Sequence, residues 1–127
     1  VISEDLRKNL KELGKRIPGS VVLVVGEMES GFVLAGYSLS DSIDHEEFSP
    51  IIREALSVIN EYRDMRGKEV LGNVHDVMIA FQKLMLWIWP LKEQYFFGIA
   101  LDEKKTIPAL AAAIVKKKLP DFEAILP

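Results

Sequence analysis

The chain contains no cysteine, so disulfides and thiolate-ligated metals are excluded. Histidine is nearly absent as well, with only His45 and His75 present. In His45-Glu46-Glu47, adjacent side chains do not share a helix face, and in His75-Asp76 they would point to opposite faces of a strand. No metal site and no cofactor are expected from either pair. Gly67-Lys68 lacks the glycine-rich run that cradles phosphates, so nucleotide binding by the chain itself is not expected. There is no recognisable catalytic motif, internal repeat, low-complexity tract or linker. No apolar run approaches the roughly 20 residues needed to cross a bilayer as a helix. The longest candidate, Val77 to Leu91, is interrupted by Gln82 and Lys83.

An excess of one charge is also missing. The formal charge of −3 predicts no general attraction to nucleic acid or anionic lipid. The basic residues Arg7, Lys8, Lys11, Lys15 and Arg16 fall on one predicted helix, where Glu4–Lys8 and Glu12–Arg16 stand at pairing distance. They read as a solvated, partly neutralised face, and Lys116-Lys117-Lys118 reads the same way. The charged, amphipathic start does not look like a secretory signal. A soluble, cytoplasmic protein without stable membrane insertion is the expectation.

What is present suits one compact domain spanning residues 1–127: 49% apolar and 28% charged residues, enough for a single core. Ser3 is the expected N-cap of a first helix, with Leu6, Leu10, Leu13 and Ile17 at helical spacing and Pro18-Gly19 as its stop. Val21–Val25 is a two-sided apolar strand, Glu27–Gly31 a turn, and Phe32–Tyr37 a return strand. For the middle helix, Asp44 with Glu47 offers one start. Ser49-Pro50 offers the preferred one, because Pro50 suits a first helical turn better than an interior. This helix should run to Arg66 and stop at Gly67. Its many apolar positions (Ile51, Ile52, Ala55, Leu56, Val58, Ile59, Tyr62 and Met65) predict burial against more than one surface.

Three strands follow, expected at Val70–Phe81, Leu84–Pro90 and Tyr95–Leu101, joined tightly as an antiparallel meander. Thr106 should cap a last helix that buries Leu110, Ile114 and Val115 and ends near its three lysines. Val21–Val25 and Phe96–Leu101 lack polar residues and should be central, whereas the third strand carries Asn73, His75, Asp76 and Gln82 and should be an edge. The expected fold is therefore an α/β (α+β) sandwich. Its order is α-β-β-α-β-β-β-α, with a five-stranded antiparallel sheet 2-1-5-4-3, the first and last helices on one face and the middle helix on the other.

A long, nearly uncharged edge strand invites pairing, and one helix covers little of a five-stranded face. Both problems vanish in a two-fold homodimer joined edge to edge. Its interface would use Ile52, Ala55, Leu56, Ile59 and Tyr62 of the middle helix with Val74, Asp76, Met78 and Ala80 of the edge. Trp87 and Trp89 share one face of an interior strand. They read as core, the alternative being the wall of a ligand pocket.

The stretches Val22–Gly36, Met85-Leu-Trp-Ile-Trp-Pro-Leu91 and Phe97-Gly-Ile-Ala-Leu-Asp102 resemble the roadblock family of dynein light-chain and GTPase-regulator domains. They are similar to that family's apolar strand, acidic turn and "apolar-apolar-Ala" return, to its fourth strand ending in Pro-Leu, and to its fifth ending in Asp before the final helix. The resemblance implies a profilin-like sandwich that dimerises through the third strand and middle helix. It also implies a non-catalytic platform for a small Ras-like GTPase, a role that in some members includes stimulating GTP hydrolysis. The expected partner surface is the polar side of the middle helix: Arg53, Glu54, Ser57, Asn60, Glu61, Arg63 and Asp64. Arg53 or Arg63 would be the candidate inserted arginine. The alternatives are a small acidic chaperone for a secreted or unfolded partner, and a profilin-like small-molecule sensor with its cavity near the tryptophans.

Overall fold

A computed structural model describes residues 1–127. The elements run α1 (Ile2–Arg16), β1 (Ser20–Glu27), β2 (Val33–Ser38), α2 (His45–Arg66), α3 (Lys68–Leu71), β3 (Val77–Ala80), β4 (Leu84–Leu91), β5 (Tyr95–Asp102) and α4 (Pro108–Ile125). The five strands form one antiparallel sheet in the order β2-β1-β5-β4-β3. This is the expected order, with the third strand at the edge.

Strand alternation sorts the core into two layers. On one face, Leu23 and Val25 of β1, Trp87 and Trp89 of β4, and Phe97 and Ile99 of β5 pack against α1 and α4. On the other, Val22 and Val24, Leu86 and Ile88, and Phe96 and Ala100 pack under α2. Gly98 lies at the centre of that second face, where a Cβ would overlap the Ile52 side chain. The missing side chain lets α2 settle close onto β5.

Several local expectations are corrected. Val1, not Ser3, is the N-cap position of α1, and it makes no side-chain bond. α2 is capped by Asp44, whose carboxylate accepts from the Glu46 N–H at 3.3 Å, and Pro50 therefore lies inside the helix. The Ser49 hydroxyl is buried and donates to the Gly31 carbonyl at 2.8 Å instead of capping. Burial of Phe48 in the extra turn helps to offset the hydrogen bond that Pro50 cannot make.

Thr106 likewise caps nothing. Its hydroxyl donates to the Pro18 carbonyl at 3.1 Å, tying the start of the last helical segment to the end of α1. α4 passes through Pro120, so Lys116–Lys118 sit in mid-helix, and Lys118 reaches Glu12 at 3.4 Å. Burial of Phe122 and Leu126, roughly 1.5–3 kcal/mol each, offsets the ~3 kcal/mol cost of an interior proline. Leu110, expected inside, is 48% exposed, and Ala111 takes the buried position.

The largest correction concerns the third strand. Val70–Phe81 is not one extended run: α3 occupies its beginning, and only Val77–Ala80 pairs with β4. Gly67 and Gly72, at φ 103° and 74°, bracket that single helical turn in backbone conformations a regular strand does not use. Val74 and Asp76 thus precede the edge strand rather than belonging to it.

Candidate functional site

Two apolar stripes run along α2. Phe48, Ile52 and Leu56 face the sheet and are at most 2% exposed. A second stripe comprises Ile51, Ala55, Val58, Tyr62 and Met65, at alternating spacings of four and three residues. That is the seam by which one helix packs along another. Ile51, Val58, Tyr62 and Met65 of this stripe are all more than half exposed, and Ala55 is half-buried. The sheet can receive only one side of the helix, so the second stripe has no cover within the protomer. Val70 and Leu71 of α3, which follows α2 directly, are exposed as well, as are Met78 and Phe81 at the sheet edge.

The structure redistributes the expected interface residues. Ile52 and Leu56 are fully buried in the protomer's own core, so they cannot form an interface. Ala55 and Tyr62 lie in the outward seam, half-buried and exposed respectively, while Ile59 is half-buried on the inward stripe. Val74 packs against the core layer under α2. Met78 and Ala80 pair with Trp87 and Met85, which places them on the opposite face of the sheet from α2. The helix seam and these two edge side chains therefore make two surfaces, linked only around the short β3 edge.

Asp76 has a structural task. Its carboxylate accepts from the Trp87 indole N–H at 2.7 Å and meets His75 Nδ1 at 2.9 Å. The indole hydrogen bond is the main cause of a pKa below the ordinary Asp value; burial opposes it, while His75 and Lys116 reinforce it. This contact anchors the entry to β3 on the α4 side of the sheet. Trp89 is 1% exposed, stacked on Trp87 with ring centroids 4.8 Å apart, and it packs near Phe97. Both rings belong to the core layer between the sheet and helices α1 and α4.

The polar side of α2 is also divided. Arg53 Nε donates to the Met28 and Glu29 carbonyls at 3.2 and 3.0 Å, holding the β1–β2 turn. Arg63 donates to Asp64 through Nε and Nη2 and to Asn73 through Nη1, and its side chain is 21% exposed. Both arginines expected as free fingers are thus engaged within the chain. Glu54, Ser57, Glu61 and Asp64 remain exposed, whereas Asn60 is half-buried. Sequence periodicity could have separated Arg63 from the others, because it follows Ile52, Leu56 and Ile59 on the inward stripe. His45 approaches Ser38 Oγ at 3.2 Å, and no group of three or more His, Asp or Glu side chains is placed to hold a metal ion. No helix is long and apolar enough to cross a membrane.

No protein-family model matches the chain, and no curated protein does. Solved structures do match. A Roadblock/LC7 domain from Streptomyces avermitilis superposes with TM-score 0.80 at 14% identity, covering 96% of this chain and 98% of that one. The gliding protein MglB from Thermus thermophilus gives TM-score 0.81 at 12% identity, covering 98% and 90% respectively. MglB in a tetrameric arrangement gives 0.83 at 13% identity, with the same coverage of 98% and 90%. At such identities the likeness speaks for architecture, and it agrees with the strand order and two-layer core described above: the chain has the Roadblock/LC7 fold.

Proposed function

We propose that the protein is a non-catalytic, homodimeric adaptor that binds a small Ras-like GTPase and stimulates its GTP hydrolysis. The observation that carries the self-association is the outward seam of α2, from Ile51 to Met65, which is apolar, regularly spaced and without cover in the protomer. Two such seams laid side by side would bury each other, with the short β3 edges meeting beneath. A tetrameric arrangement of MglB, a protein of the same fold, supports self-association as a use of this architecture. The GTPase as partner rests on the resemblance of Val22–Gly36 and the two later strands to the roadblock family. The partner surface is the remaining polar side of α2, with Glu54, Ser57, Glu61 and Asp64. Arg53 and Arg63 support neighbouring backbone and side chains, so stimulation would come from positioning the partner's own catalytic groups.

Light scattering at micromolar concentration tests the assembly. A dimer is expected for the native chain, with Val58→Asp giving a folded monomer; a native chain that stays monomeric refutes the proposal. The regulatory half is tested by GTP hydrolysis of a Ras-like GTPase encoded beside this gene, measured with and without the protein. An unchanged rate and no nucleotide-dependent binding would remove the GTPase from the reading.

A further inference from the structure

A cleft of about 370 Å³ opens at the end of the sheet, between the last turns of α2, the segment around α3 and the β4–β5 turn. Its floor is apolar, formed by Leu56, Val74, Pro90 and Tyr95. Its polar groups are Asn60 and Arg63 of α2, Lys68 of α3 and Asn73, with Lys92 and Glu93 from the β4–β5 turn. The inward stripe of α2 is apolar at Ile52 and Leu56, and Arg63 continues it two turns later, where the helix overlies this cleft. An arginine in a core-facing register is a costly choice unless something polar meets it.

The donors there are only partly used. Three of the five N–H groups of Arg63 bond Asp64 and Asn73, so one N–H remains on each terminal nitrogen. Asn60 and Lys68 have no side-chain hydrogen bond or ion pair within the chain, while Lys92, also at the cleft, gives its ammonium to the Leu126 carbonyl at 2.9 Å. Lys68 opens the single turn of α3, which buries none of its residues and is bracketed by Gly67 and Gly72. Its ammonium can therefore adjust to whatever Arg63 holds.

We propose that this cleft binds a small organic carboxylate, its oxygens meeting Arg63 and Lys68 and its hydrocarbon body lying on the apolar floor. A fixed guanidinium with an N–H on each terminal nitrogen suits a planar carboxylate. Charge sets the upper limit: Glu93 stands on the opposite rim and, with Glu27 and Glu29, lines the adjoining cleft. Those carboxylates disfavour a dianion such as phosphate. The cleft volume lies within the range of small-molecule sites, about 300–1,000 Å³. None of the residues lining this cleft belongs to the outward seam of α2.

Calorimetric titration of the full chain with phenylacetate, isovalerate, phenylacetamide and inorganic phosphate tests the proposal. Saturable binding of the two carboxylates is expected; phenylacetamide, which keeps the shape but loses the charge, should bind about tenfold or more weaker, and phosphate should bind weaker as well because Glu27, Glu29 and Glu93 repel its second charge. Arg63→Gln should weaken phenylacetate by about tenfold and Lys68→Ala by about threefold. Circular dichroism checks that both variants stay folded, and Lys68→Ala, which removes no internal bond, stands as the independent variant if Arg63→Gln does not fold. The proposal is overturned if no carboxylate saturates, if phenylacetamide binds as well as phenylacetate, if phosphate binds best, or if folded Lys68→Ala binds unchanged.

Discussion

Ile51 and Ile52 are the same amino acid at successive positions of α2, yet one is 54% exposed and the other 0%. Leu56 and Val58, a few residues on, divide in the same way, at 0% and 61%. The inward stripe meets β1, β4 and β5 across a face where Gly98 leaves room for Ile52. The outward stripe meets nothing in the protomer. Hydrophobicity alone does not tell a buried position from an exposed one: what separates them is which side of the helix the sheet has already occupied.

The inward stripe should be the more sensitive of the two to truncation. Leu56→Ala should destabilise the protomer by about 2–5 kcal/mol, the range for emptying a packed core site, whereas Val58→Ala should change protomer stability by less than about 0.5 kcal/mol. Urea denaturation of both variants on a dissociated background checks the contrast, and equal losses would erase the distinction between the stripes. Gly98→Ala sharpens the point from the sheet side. The new methyl meets the tip of Ile52, and a cost of about 1–3 kcal/mol is expected, relieved in part by pairing it with Ile52→Val.

A smaller effect is expected at the sheet edge. Asp76→Ala removes the acceptor of the Trp87 indole and should cost about 1–2 kcal/mol at neutral pH. The sign of its pH dependence follows from the lowered pKa: the ionised carboxylate contributes above the ordinary Asp range, and that contribution is lost as pH falls through the depressed folded-state value. The gap between native chain and variant should therefore narrow on acidification. Urea midpoints measured across that range would show it, and a gap that widens in acid would contradict the assignment.

Much of the architecture is legible in the residues alone. The two-sided apolar strands Val21–Val25 and Phe96–Leu101 are central, and the segment with Asn73, His75 and Asp76 leads to the edge, because polar groups are tolerated where a ladder ends. The boundaries are less legible. Ser3, Ser49 and Thr106 are good caps by residue type, but burial of Phe48 and the tie from Thr106 to Pro18 assign these positions otherwise. Val70 and Leu71 look like strand residues and so extend the expected third strand too far, while the two flanking glycines carry the information that shortens it. Arg63 misleads for a different reason: a charged residue on a helix reads as solvated until something above it is known to be a cleft.

The order of helices and strands, the sheet order and the excess of apolar surface on the middle helix were determined by the sequence, since they depend on local periodicity and on which segments can be buried on two sides. Tertiary structure alone decided which stripe of that helix is core, that Asp76 serves Trp87, and that Asn60, Arg63, Lys68 and Asn73 converge over one apolar floor. These depend on residues far apart in the chain arriving within a few ångströms of one another, and periodicity within a single element carries no record of that.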